Sequence, residues 1–232
     1  MTGRSAPGRG PFRAVIFDLD GVLVDSEIWW DEVRADFARR HGHTWTEADR
    51  AAVMGANSRQ WSETMRTRLG LGIGPEEIER EIVEGVVGRY RAAGAPVIDG
   101  AVEVVRRFAG RYRTAVASSA HRQVIDAALE ALGLSDAFDM VVSSDEVARG
   151  KPAPDVYLET ARRLGVVPAD CLVVEDSLNG VLAAKAAGTT VVLVPNTSVP
   201  PAPGAREAAS VVLERVSELD PDALARAAGR LA

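Results

Sequence analysis

Asp18 and Asp20 stand two residues apart at the end of an apolar run, Ala14-Val15-Ile16-Phe17, and Gly21 follows them. On extended backbone, residues two apart face the same side. Two carboxylates held that close repel unless a metal ion, a proton or both lie between them. A buried strand that ends in carboxylates also places charge at the rim of a sheet. In open α/β sheets ligands bind at that rim, beyond the carboxyl ends of the strands. Five residues alone leave an alternative open, a strand end closed by an Asx-Gly turn.

Three further polar sets fall at the ends of apolar strands. Ser118 and Ser119 end the strand over 114–117. Lys151, in Gly150-Lys151-Pro152-Ala153-Pro154-Asp155, follows the strand over 140–142. Glu175 and Asp176 end the strand over 172–174. Each has a plainer reading: Ser118 as a helix cap, Lys151 as a solvated loop cation, Glu175-Asp176 as a turn. Parallel strands point their carboxyl ends one way, so all of these groups converge on one rim. Carboxylates from different strands make an all-oxygen site suited to Mg²⁺. A serine hydroxyl, backbone N–H groups and a lysine make a cradle for a phosphoryl group. One carboxylate beside the metal can attack phosphorus, and another can carry a proton to the leaving oxygen. Lysine occurs only at Lys151 and Lys185, every other basic position being arginine. A lysine kept against that bias suits a site that needs a compact ammonium. Lys185 falls within a helical stretch and reads as surface.

The elements that must position these residues follow from periodicity. After Gly21 the pattern turns helical. Asp25 or Ser26 can cap a helix that carries Trp30, Val33 and Phe37 on one face and ends at Gly42. Helices follow over 46–54, 58–69 and 75–91, the last opened by Pro75-Glu76-Glu77, with acid at the positive end of its dipole. From 96 onward, helices over 101–109, 121–132, 154–164 and 178–187 alternate with strands over 114–117, 140–142, 172–174 and 190–194. Residues 211–213 give a further strand. This alternation predicts an α/β fold, a Rossmann-like parallel sheet covered by helices on both faces. The all-helical block over 26–95 is then a cap domain inserted after the first strand. It interrupts a catalytic core made of 1–25 and 96–232, in which 1–11 form a disordered tail. A long insertion at that edge acts as a lid or specificity element, packing alone being the alternative. The Pro-rich stretch over 199–204 reads as a surface loop.

Apolar residues make up 47 % of the chain, enough for a core of this size. The formal net charge of -6 argues against a nucleic-acid or anionic-membrane partner. Cys171 is the single cysteine, which permits no internal disulfide and suits a reducing compartment. Arg4 and Arg9 lie in a segment without an apolar h-region, so it does not read as a signal peptide. No apolar run is long enough to span a membrane. The expectation is a cytoplasmic monomer acting on a small molecule.

Four motifs, in order, carry a resemblance to the haloacid dehalogenase superfamily of phosphohydrolases. They are Phe17-Asp18-Leu19-Asp20-Gly21-Val22-Leu23-Val24-Asp25-Ser26-Glu27, Val116-Ala117-Ser118-Ser119, Gly150-Lys151-Pro152 and Val174-Glu175-Asp176-Ser177. The resemblance runs from about Phe12 to the end, and the helical insert sits where that family carries its helical cap. It implies that Asp18 is the nucleophile, forming an aspartyl phosphate, and Asp20 the general acid and base. It implies that Mg²⁺ is held by the Asp18 carboxylate, the Asp20 backbone carbonyl and Asp176, with Glu175 as a further ligand or the holder of a metal-bound water. Ser118, with Ser119 behind it, and Lys151 would bind the phosphoryl oxygens.

Asp20 separates branches of that family. Dehalogenases have no acid there, because halide departs without a proton. The resemblance therefore implies hydrolysis of a small phosphomonoester. Relatives that end the first motif in Asp-Ser-Glu suggest a sugar or polyol phosphate. The alternative is a mutase resembling β-phosphoglucomutase. That branch carries a histidine early in the first cap helix and a lysine later in the cap. Here Trp30 stands at the first position and the cap has no lysine; His41, His43 or Arg59 could substitute. A phospho-receiver domain fits less well, since its phosphoacceptor lies on a middle strand. Within the cap, the break Met54-Gly55-Ala56-Asn57-Ser58-Arg59 offers Asn57, Ser58 and Arg59 as readers of the leaving group. Asn57 or Ser58 capping the next helix is the alternative. Trp29, Trp30, Trp45 and Trp61 are expected in the cap core.

Overall fold

A computed structural model describes residues 12–54 and 56–227. The tail expected over 1–11, Gly55 at the break in the helical block, and 228–232 lie outside the described residues. Among the described residues, six strands form one parallel sheet: β1 (Ala14–Phe17), β2 (Arg113–Ser118), β3 (Met140–Ser143), β4 (Cys171–Glu175), β5 (Thr190–Leu193) and β6 (Val211–Val212). Their spatial order is β3-β2-β1-β4-β5-β6. The chain therefore lays strands to one side of β1 and then crosses to the other. That reversal falls between β1 and β4, the point at which such sheets bind ligands.

β1 is apolar throughout because both of its faces are covered. Ala14 and Ile16 pack with Val156, Tyr157, Val181 and Val191, under helices α7 (Asp155–Leu164) and α8 (Leu178–Ala186). Val15 and Phe17 pack on the opposite face with Phe108 and Val124, under α5 (Ala101–Ala109) and α6 (Arg122–Ala131). The two-residue period sends Asp18, the next residue in phase with Ala14 and Ile16, toward the α7 and α8 side.

Four helices stand between β1 and α5: α1 (Glu27–Arg40), α2 (Glu47–Val53), α3 (Ser58–Leu69) and α4 (Pro75–Ala93). Pro75 and the two following acids open α4 as expected. Thr46 and Asn57 close capping boxes on α2 and α3. Both connections to the sheet are tied to each other. Val24 bridges Val97, the Asp25 N–H donates to the Pro96 carbonyl at 2.8 Å, and the Ile98 N–H donates to the Leu23 carbonyl at 3.1 Å. The interiors of the helical insert and of the α5/α6 face form one continuous apolar cluster. After β5 come two short helices, α9 (Ala205–Ala208) and α10 (Pro221–Ala227). No described helix is long and apolar enough to cross a membrane.

Candidate active site

The parallel register brings the predicted residues together. Phe17 pairs with Val116 on one side and Val174 on the other, so Asp18 stands level with the ends of β2 and β4. The Asp18 N–H donates to the Val174 carbonyl at 2.9 Å, which fixes its backbone at the rim. Asp18, Asp20, Ser118, Ser119, Lys151 and Asp176 all line one cleft of about 200 Å³ between the sheet and the insert.

Lys151 is the hub. It is only 6 % exposed, and its ammonium lies 2.6 Å from Glu175 Oε1 and 3.0 Å from Asp18 Oδ1. It also donates to the Ala117 carbonyl at 3.3 Å. Burial alone would drive its proton off, but the two carboxylates outweigh burial and hold the lysine charged. Glu175 is fully buried and saturated with donors. Lys151 and the Tyr157 hydroxyl donate to Oε1. The Asp176 N–H, the Ser177 N–H and the Ser177 hydroxyl donate to Oε2 at 3.1, 3.4 and 3.2 Å. Of the three acids near β4, it therefore has the least free oxygen to offer a metal.

Asp18 is different. Its Oδ1 is buried without a hydrogen-bond donor, the Lys151 approach being an ion pair that is not aligned as a hydrogen bond. Burial first, then the charges of Glu175 and Asp20, push its pKa up to about 8 against the pull of Lys151. Asp176 is held well above the ordinary carboxylate value by burial and by Glu175 and Asp18. Asp18, Glu175 and Asp176 each present an oxygen within 4.8 Å of the others. Gly21 makes room for this: a Cβ there would sit 1.9 Å from Asp176 Oδ2, and its φ of +79° suits glycine. An orphaned buried oxygen among carboxylates that burial penalises fits a hard divalent cation, and the oxygen-only donor set fits Mg²⁺.

Asp20 faces the insert. Its Oδ1 accepts from the Ser26 hydroxyl and, at 3.4 Å, from the Trp30 indole N–H. Its pKa is raised, burial outweighing those two bonds. This corrects the expectation that Ser26 caps α1. Ser26 has helical backbone angles, which take its side chain away from the following N–H groups, and its hydroxyl serves Asp20 instead. Asp25 does not cap either; it accepts from Asn196 and Ser198. On β2, the Ser118 hydroxyl accepts from the Ala120 N–H at 3.0 Å while lining the cleft.

The residues at the break in the insert are placed as follows. Asn57 caps α3 through the Gln60 N–H, and it packs beside Gly150. The Ser58 N–H donates to Asp145 Oδ1 at 3.1 Å, joining the insert to the segment after β3. Neither lines the cleft. Arg59 is exposed and lines a second, shallower opening beside it. Trp30 and Trp61 are buried as expected, yet both also line the cleft. The Pro-rich stretch is more than surface, for Val199, Pro200, Pro201 and Ala202 form one wall. Lys185 is exposed.

Sequence reasoning missed Tyr157, Arg34, Asn179 and Gly180. Gly180 carried a signal, a glycine in the first turn of a helix. A Cβ there would lie 1.9 Å from the Glu175 carboxylate. Arg34 and Tyr157 carried none, since burial beside the site is not visible in residue type.

Charged groups gathered at the switch point of a parallel sheet, under a helical insert, define an α/β enzyme with a rim site suited to phosphoryl groups. The family model described as haloacid dehalogenase-like hydrolase matches residues 12–188, and the chain belongs to that family. Fructose-1-phosphate phosphatase of Escherichia coli is 33 % identical over 184 residues, 76 % of this chain and 93 % of that protein. Hexitol phosphatase B of the same organism is 32 % identical over 196 residues, 78 % of this chain and 83 % of that protein. The chain spans 48 % of a longer relative, the bifunctional riboflavin kinase/FMN phosphatase of Arabidopsis thaliana, at 30 % identity. Among solved structures, CbbY from Rhodobacter sphaeroides in complex with phosphate superposes with a TM-score of 0.80 at 25 % identity, covering 92 % of this chain and 98 % of that one.

Proposed function

We propose that the chain is a Mg²⁺-dependent phosphatase that hydrolyses a small phosphorylated sugar or polyol through an aspartyl phosphate on Asp18. The observation that carries this reading is the division of labour within one strand end. Asp18 points to Lys151 and the acids of β4, while Asp20 is held from the insert side by Ser26 and Trp30. The named activities of the bacterial relatives support the substrate class.

In this reading a carboxylate oxygen of Asp18 attacks phosphorus, and the ester P–O bond breaks. Asp20, its pKa raised, gives its proton to the departing alkoxide. Asp20 then takes a proton from water as that water attacks phosphorus, which releases phosphate and restores the Asp18 carboxylate. Lys151, Ser118 and the N–H groups around Ser119 bind the phosphoryl oxygens. Asp18, the Asp20 backbone carbonyl and Asp176 would hold Mg²⁺, with Glu175 as a further ligand or as the group that orients Lys151. The bound ion supplies charge that lets carboxylates and a phosphate dianion share one site. Residues 26–95 act as the cap that excludes water and reads the leaving group.

Trp30 at the place where mutases carry histidine, and the absence of lysine from the insert, favour hydrolysis over phosphoryl return. The test is a screen of the purified chain with Mg²⁺ on an aryl phosphate and a broad panel of sugar and polyol phosphates. Release of inorganic phosphate is expected. Turnover of none would end the hydrolase reading, and formation of a 6-phosphate from a β-1-phosphosugar would replace it by the mutase.

A further inference from the structure

Arg34 is a buried cation that the chemistry described so far does not use. It lies on α1, is 8 % exposed, and lines the cleft. Its guanidinium carbon sits 5.0 Å from the Trp30 ring centroid and 5.5 Å from that of Trp61. It makes no salt bridge among the described residues, and its Nε is buried without a hydrogen-bond partner. Glu27, Asp31 and Asp20 act on it only through longer-range charge, and burial pushes its pKa down to about 10. A desolvated charge without a paired counter-ion is costly, and an anionic ligand in the cleft would relieve that cost.

The place of Arg34 in the cleft, beside Trp30 and Asp20, sets where that ligand lies. Trp30 and Trp61 meet edge to face, with centroids 6.2 Å apart and planes at 65°, and the guanidinium lies against both rings from one side. Arg34 lines the cleft, and no hydrogen bond or salt bridge among the described residues takes up its donors, so they are free for a ligand there. Trp30, which stacks on Arg34, also donates to Asp20. In the proposed mechanism Asp20 protonates the leaving oxygen, so Arg34 stands on the leaving-group side, away from the cradle of Lys151 and Ser118. A planar fork of donors matches a carboxylate or phosphate far better than a neutral hydroxyl.

We propose that Arg34 binds a second anionic group on the leaving portion of the substrate, selecting phosphorylated sugar acids and sugar bisphosphates over neutral sugar and polyol monophosphates. This rests on the phosphatase reading for the orientation of the substrate, and it narrows the substrate class proposed above to members that carry a second anionic group. The cleft, about 200 Å³, suits a compact molecule with charge at both ends.

The test uses the full chain with Mg²⁺ and two matched pairs, 6-phosphogluconate against glucitol 6-phosphate, and fructose 1,6-bisphosphate against fructose 6-phosphate. An aryl phosphate reports basal turnover. In the wild type, kcat/KM for the charged member of at least one pair is expected to exceed its neutral match by about tenfold or more, as for a charge-assisted bidentate contact. The first pair identifies a carboxylate and the second a phosphate. Arg34→Met should bring that ratio close to one, mainly through KM, and Arg34→Lys should keep part of it. Binding of the same four compounds to Asp18→Asn, with and without Arg34→Met, is read by titration calorimetry. If no compound is hydrolysed but the charged members bind Asp18→Asn more tightly in an Arg34-dependent way, the phosphatase reading fails and the role of Arg34 stands. If turnover is found and neither pair shows a preference, or Arg34→Met lowers both members of each pair equally, the proposal is overturned. Arg34 would then be a counter-charge for Asp20 and Glu27.

Discussion

Gly180 and Glu175 occupy space that only one side chain can fill: a Cβ on Gly180 would come within 1.9 Å of the Glu175 carboxylate. Glu175 is the fully buried partner of Lys151, so a glycine in α8 indirectly sets the position of the site's ammonium.

Gly180→Ala should therefore be costly, although alanine is the better helix former. The added methyl displaces a buried, paired carboxylate, a loss of roughly 3–5 kcal/mol by analogy with broken buried ion pairs. In a chain of this size that is a fall in Tm on the order of 10 °C, with loss of turnover. Gly88, on the exposed face of α4 with nothing within 4 Å of its would-be Cβ, is the control. Gly88→Ala should leave Tm unchanged or slightly raised. Thermal melts of both variants decide it, and equal behaviour would remove the packing argument.

Asp18→Asn should separate stability from activity. Burial makes the Asp18 charge expensive, as its pKa of about 8 records. A neutral amide of the same shape relieves that cost, while Lys151 keeps Glu175. In EDTA at pH 8 the variant should melt no lower than the wild type, and it should lose both turnover and the stabilisation by Mg²⁺. A drop of many degrees in EDTA would instead make Asp18 a structural partner of Lys151.

The same shifts fix the sign of the pH dependence without metal. Asp18 rises from 3.8 to about 8 on folding, and Asp20 and Asp176 move in the same direction. Across that window the folded chain holds protons that the unfolded chain has released. The stability they supply is complete below about pH 4 and is lost as pH rises toward 8. In EDTA, Tm should fall between pH 5 and pH 8. Mg²⁺ competes with those protons, so its increment in Tm should be larger at pH 8 than at pH 5. Melts at both pH values, with Mg²⁺ and with EDTA, check this. An increment independent of pH would argue that these carboxylates do not hold the ion.

Much of this site was legible in the sequence because strand ends are easy to read. Apolar runs stop abruptly at Asp18, Ser118 and Glu175, and parallel pairing forces such stops onto one rim. The helical insert was legible from its periodicity for the same reason. What stayed hidden depends on distance across the fold. Ser26 looked like a cap, but the backbone angles that turn its hydroxyl to Asp20 come from packing. Arg34 looked like one more arginine among many, and only the folded chain places it against both Trp30 and Trp61 at the cleft. Val199 to Ala202 looked like a loop, and composition could not say that the loop walls the cleft.

Asp20→Asn tests the proton role directly. An amide keeps the size of Asp20 and its bonds from Ser26 and Trp30, but it cannot deliver a proton. Sugar and polyol phosphates leave as basic alkoxides and need that proton, so their turnover should fall about 10²–10⁴-fold. Aryl phosphates leave as stabilised phenolates and should lose far less in the step that breaks the ester. Because water must still be activated to clear the aspartyl phosphate, the aryl substrate should show a burst followed by slow turnover in the variant. Rapid-quench kinetics on both substrate classes distinguish the steps. An equal loss on both, with no burst, would mean that Asp20 acts by holding the site together and not by moving a proton.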